Sequence, residues 1–121
     1  MTSVAQALYA FWSGFDLPAY VEDNVPVEAA LPYITYTLSD SGWDSPTTHQ
    51  VRVWYRSTSY IDIAAKVDEI KARVGVGIVL PISSGGVTIR PGDPLVQFQP
   101  MDGTDLKVAY MNFQLNCFSM T

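Results

Sequence analysis

From Val108 to Phe118 the chain alternates between two sets of side chains, and neither set carries a charge. Ala109, Met111, Phe113, Leu115 and Cys117 form one set. Val108, Tyr110, Asn112, Gln114, Asn116 and Phe118 form the other. A period of two predicts a strand, and a one-residue slip would exchange its faces, so the pattern fixes the register. The first set reads as a core face. The second has amides and aromatics where a water-facing strand usually has Lys, Glu or Thr. A chain ending in this strand must build a sheet with one buried face and one face offered to a neutral surface.

The other elements follow from spacing. Ser3 and Gln6 have the form of a capping box. Val4, Leu8, Phe11 and Phe15, with Ala7 and Trp12 beside them, predict a helix over about residues 3–13, closed at Gly14. Pro18, Pro26 and Pro32 break the next stretch, which reads as an extended connection with a short turn near residues 27–30. Ile34, Tyr36 and Leu38 alternate with Thr35 and Thr37. After a turn-rich tip carrying Trp43, His49, Val51, Val53 and Tyr55 alternate with Gln50, Arg52, Trp54 and Arg56. These two strands are expected to form an antiparallel hairpin.

A second helix is expected from Ser59, its N-cap, to Val74, with Ile63, Val67, Ile70 and Val74 on one stripe and Gly75 at the end. Asp62 stands four before Lys66, and Lys71 and Arg73 suit the negative end of the helix. "GIVLPI", "SSGG" and "VTIR" predict a short hairpin. "PLVQFQ" and the final strand predict another, joined by "PMDGTD". The chain is thus expected to be one α+β domain, residues 1–121. Its sheet is mostly antiparallel, of about five to six strands, with two helices packed on one face.

Composition narrows the function. Of the 121 residues 48% are hydrophobic, which indicates a globular domain, but only 16% are charged, against roughly 25% in typical soluble domains. Interface cores are depleted in charge, so the deficit points to surface covered by other subunits. The net charge of -5 argues against a specific nucleic-acid partner. The single cysteine permits no internal disulfide. No signal-like N-terminus stands out, and no apolar run approaches the ~20 residues of a membrane span, so synthesis in the cytoplasm is expected.

Catalysis needs converging groups, and none is evident. His49 lies in line with valines, and Cys117 lies on the apolar face of the last strand, so both read as packing residues rather than a Cys–His pair. "VEDNV" lacks the spaced ligands of a calcium loop, and "SSGG" is followed by neither a lysine nor a helix. No metal or cofactor is expected. Arg52, Trp54 and Arg56 share a strand face of a kind that stacks on single-stranded nucleic acid, but pairing of the arginines with carboxylates across a subunit boundary fits an acidic chain better. The expected contact residues are therefore Trp43, Arg52, Trp54, Arg56, Tyr110, Asn112, Gln114 and Asn116.

In "PAYVEDNVPVEAALPYITYTLSD", "VRVWYRSTSYIDIAAKVDEIKARVG" and the closing "YMNFQLNCF", the chain resembles the tail terminator, or tail completion, proteins of long-tailed bacteriophages and prophages. The shared order is a helix, a segment ending in "PYITY", a Trp/Tyr-rich strand, a helix after Ser/Thr and a strand-rich end. The resemblance spans most of the chain but has no catalytic signature. It implies a non-enzymatic virion protein: a ring, usually a hexamer, at the head-proximal end of the tail. Such a ring caps the tail tube, ends its polymerisation and joins the neck proteins of the head, with DNA passing through its lumen. In a ring of this kind two different patches of each copy meet. A face of Asn, Gln and aromatics hydrogen-bonds across such a seam without burying charge. The alternatives are a head-side neck adaptor, a small cytoplasmic α+β enzyme and a nucleic-acid-binding module.

Overall fold

Ser3 Oγ accepts from the Gln6 amide at 3.2 Å, and Gln6 Oε1 accepts from the Ser3 amide at 2.9 Å. This reciprocal pair starts helix α1, Val4–Trp12, in a computed structural model that describes residues 3–38, 42–100 and 105–119. Ala7, Leu8, Phe11 and Trp12 form its buried stripe. The helix does not stop at Gly14. A 3₁₀ turn, Ser13–Phe15, carries the chain on so that Phe15 is buried, and Asp16 takes the left-handed conformation expected of a glycine.

The proline-broken stretch contains a strand that its sequence hides. Ala19–Val21 (β1) runs parallel to Tyr33–Tyr36 (β2), with Ala19 opposite Ile34. Parallel pairing needs a crossover, and residues 22–32 supply it, including a turn closed by the Ala29 amide on the Pro26 carbonyl. The strand is too short for alternation to reveal it. The expected hairpin is present: β2 pairs antiparallel with Thr47–Arg56 (β3).

Helix α2 covers Ile61–Val74, two residues inside the expected start, with Tyr60 at the N-cap position. Ser59 still serves the helix end, because its hydroxyl accepts from the Ile61 amide at 3.0 Å. Ile63, Val67, Ile70 and Val74 are buried as the stripe requires. Ile70 is fully buried, so Ile70→Ala is expected to cost roughly 2–5 kcal/mol, measured by urea unfolding. A variant within 0.5 kcal/mol (roughly the effect of a surface change) would show that this face is not core.

The strand-rich end departs from expectation. Ile78–Ile82 (β4) pairs with Gly85–Pro100 (β5) as the first hairpin. The segments "VTIR" and "PLVQFQ" are not strands of separate hairpins. They are two halves of β5, and both pair with Leu106–Ser119 (β6). The register shifts between Pro91 and Val96, so the bulge absorbs the prolines that would otherwise end the ladder. Gly92 permits this, because a Cβ there would lie 2.8 Å from the Asn112 carbonyl oxygen. The expected tip at residues 40–47 and turn at 100–105 lie partly outside the described residues.

The result is α+β. Its six-stranded mixed sheet has the order β1-β2-β3-β6-β5-β4, and every pair except β1–β2 is antiparallel. The buried side chains of α1 and α2 form one core with a single alternate set of strand residues: Ile34, Tyr36, Val51, Val53, Val87, Ile89, Ala109, Met111, Phe113, Leu115 and Cys117. The opposite set of strand side chains makes up the sheet's other face.

Candidate interaction face

Strand register brings most of the expected contact residues together. β3 and β6 pair Thr48 with Gln114, Gln50 with Asn112, Arg52 with Tyr110 and Trp54 with Val108. All point away from the helix-side core. β5 extends the same face, with Thr88 opposite Asn116, Arg90 opposite Gln114, Gln97 opposite Tyr110 and Gln99 opposite Val108. Arg52, Trp54, Arg56, Tyr110, Asn112, Gln114 and Asn116 therefore share one surface. The β5 residues Arg90, Gln97 and Gln99 belong to it too. The alternation of "LVQFQ" already held the two glutamines, but treating "VTIR" and "PLVQFQ" as strands of different hairpins concealed their neighbours.

The arginines do not wait for a partner chain. Arg52 pairs with Glu22, just beyond β1, and its guanidinium lies 5.0 Å from the centre of the Tyr110 ring. Arg56 Nη1 reaches both carboxylate oxygens of Asp105 at 3.1 Å. This second pair is largely exposed and adds little stability. Arg52 and Arg56 thus find carboxylates within the chain itself. The reason is topological: the parallel β1 strand delivers Glu22 beside β3.

An aromatic row crosses the β1 side of the face. The Tyr20 and Tyr33 ring centres are 5.6 Å apart, and those of Tyr33 and Trp54 are 6.3 Å apart. Trp54 Nε1 donates to Thr35 Oγ1 at 3.0 Å, which fixes the indole in the row. In the centre, Asn112 Nδ2 donates to the Pro94 carbonyl at 3.0 Å and clips the β5 bulge to the face. Grooves lie on both sides of Asn112. One, of about 220 Å³, is lined by Gln50, Gln97, Gln99 and Tyr110. The other, of about 480 Å³, is lined by Thr48, Gly92, Asp93 and Gln114. Asn112→Ala removes the clip and is expected to cost about 0.5–1.5 kcal/mol in urea unfolding. An unchanged midpoint would show that the bulge holds its place without it.

Outside the irregular stretch Pro91–Val96, the strand positions of this face hold Arg52, Arg56 and Arg90 but no Lys, Asp or Glu. Thr48, Gln50, Gln97, Gln99 and Gln114 are exposed on it, whereas Thr35 and Val108 are buried. No protein-family model, no curated protein and no solved structure matches the chain.

Trp43 stands apart from the other expected contact residues. It forms an isolated bridge with Cys117, a helix-side residue, and borders a small pocket with Val4 at the start of α1. The Asp44 amide donates to the Cys117 carbonyl at 2.7 Å, which holds this corner to β6.

His49 and Cys117 are both buried and do not form a pair. The register partner of His49 is Phe113, four residues before Cys117. Trp12 Nε1 donates to His49 Nε2 at 3.0 Å, so that nitrogen carries no proton. The Trp12 and Tyr36 rings flank the imidazole. Burial pushes its pKa down to about 4, and the Thr37 backbone offsets this only in part. Among the described residues no three His, Cys, Asp or Glu side chains are grouped to hold a metal, and no described helix is long and apolar enough to cross a membrane.

Proposed function

We propose that the chain is a structural, non-catalytic virion protein that assembles into a ring of about six copies and terminates a bacteriophage tail tube at its head-proximal end. The observation that carries this reading is the charge-poor, largely exposed polar face of the sheet. A face of six strands with amides, threonines and aromatics, and with two of its three arginines already neutralised inside the chain, suits contact with another neutral protein surface. It buries hydrogen-bonding groups that a partner can satisfy and few charges that a partner must compensate. The resemblance of "PYITY", the Trp/Tyr-rich strand and the polar last strand to tail terminators supplies the specific role. The polar face is then the surface that meets protein partners, with the tail tube protein first among them.

The test has two parts. Light scattering of the purified chain should give a mass about six times the 13.3 kDa of one copy. Purified tail tube protein should be retained by the immobilised chain. A monomer at tens of micromolar would overturn the ring. Retention of portal protein in place of tube protein would move the chain to the head side of the neck.

A further inference from the structure

The sheet ends in two edge strands, β1, whose Val21 carbonyl accepts from the Asn24 amide, and β4, and the two differ in charge. No Lys or Arg precedes Arg52 in the sequence, whereas Asp16, Glu22, Asp23 and Glu28 all do. These acids surround β1, the strand at one edge. Glu22 is held by Arg52, but Asp16, Asp23 and Glu28 are exposed and form no ion pair among the described residues. At the other edge, β4 lies in a run from Gly75 to Ile89 without a single charge, bracketed by Arg73 and Arg90. Arg90 packs against Gly77 at the entry to β4, since a Cβ on that glycine would lie 3.1 Å from Arg90 Cγ. Both arginines are exposed, and neither forms an ion pair among the described residues.

Each edge also carries exposed apolar side chains: Val76 and Val79 beside β4, Val27 and Leu38 beside β1. Soluble proteins normally guard open edges with lysines, inward charges or proline; β4 carries no charge, and Pro81 is its only guard of these kinds. Strand direction agrees as well. Through the chain of pairings, β4 and β1 run the same way, so β4 of one copy placed beside β1 of the next continues the sheet as a parallel pair. A β4-to-β4 contact would instead bring like charges together.

We propose that copies of this chain join head to tail, the arginine-flanked β4 edge of one copy meeting the carboxylate-bearing β1 edge of the next. This rests on the ring reading above and identifies its seam. It also releases the polar face from the seam and leaves it for the tube.

Charge reversal tests it. One variant is Arg73→Glu/Arg90→Glu, and the other is Asp23→Lys/Glu28→Lys. All four positions are exposed, so both variants should fold, as checked by circular dichroism. Each alone places like charges at every seam and should run at the mass of one copy. Mixed one to one, they should regain the parent mass as rings of alternating copies, because each reversed edge then meets its complement. Amide exchange supplies a second readout in the parent protein: the amides of Ile78, Val79, Leu80 and Ile82 (Pro81 has none) should be protected at least tenfold more in the ring than after dilution to single copies. A parent ring in which both variants also assemble, or in which β4 exchanges as fast as in the single copy, overturns the edge assignment and leaves the ring standing. Dissociated variants that do not recover on mixing overturn it too, and show that the two edges do not meet each other. A parent that never assembles overturns the ring itself.

Discussion

Lowering the pH from 7 to 4 should destabilise the fold by about 3 kcal/mol through His49 alone. Its imidazole titrates near 4 in the folded chain and near 6.5 when unfolded. Between those values the unfolded chain binds more protons, so stability rises with pH. The contribution of the neutral imidazole is complete above about pH 6.5 and is lost progressively as the pH falls towards 4. The structural cause is burial of the imidazole, and the Trp12 N–H occupies the nitrogen a second proton would need. Urea midpoints for the parent and for His49→Gln, taken across this range, check the assignment. The glutamine still offers Trp12 an acceptor but does not titrate, so its profile should be flatter by about 3 kcal/mol. Parallel profiles would show that His49 is protonated without penalty and that acid sensitivity arises elsewhere.

On the proposed reading, Gln50→Glu should leave a ring intact and abolish its retention of tail tube protein. Gln50 is exposed at the centre of the polar face and lines the groove with Gln97 and Gln99. In the isolated chain the change faces water, so unfolding should shift by no more than about 0.5 kcal/mol. The nearest guanidinium on its strand, that of Arg52, is already committed to Glu22. Against a docked protein the new carboxylate is buried without a partner, at a few kcal/mol per contact. Every copy in the ring repeats this cost, so binding should fall by far more than tenfold. Circular dichroism, light scattering and tube-protein retention read the three levels separately. Normal retention would mean that the face looks onto open solvent. Loss of the ring would mean that the face, and not the edges, forms the seam.

The two faces of the sheet were readable in the sequence because alternation over long strands is a strong signal. Ala109 to Cys117 and His49 to Tyr55 alone separate core from polar side. The α2 stripe was readable for the same reason, and the Ser3–Gln6 cap because its chemistry is local. Three features were hidden. β1 is only three residues long and sits among prolines, so its evidence is the parallel partner it finds in β2. β5 looked like two strands because the residues of its bulge also spell a turn. The pairing of Glu22 with Arg52 spans thirty positions and exists only once the β1–β2 crossover is made. What escaped the sequence was in each case decided by distant pairing. Within the candidate site, seven of the eight expected residues share the face, and Trp43 lies apart at the Cys117 corner, because a turn-rich tip says nothing about which side of the sheet it folds towards.

The strand order carries a consequence for biosynthesis. β6 follows the other five described strands in the sequence, yet it lies between β3 and β5 at the middle of the sheet. Until Leu106–Ser119 has left the ribosome, β3 and β5 each present a long unpaired ladder, and the apolar face of the nascent sheet has no centre. Pairing Thr47 with Leu115 joins distant parts of the chain, so this closure is entropically demanding and slow compared with formation of α2 or the β4–β5 hairpin. Chains truncated before β6 are therefore expected to be sticky and prone to degradation. Only copies that contain β6 acquire a finished sheet with two correctly formed edges, so synthesis of this one strand decides which copies are fit for assembly.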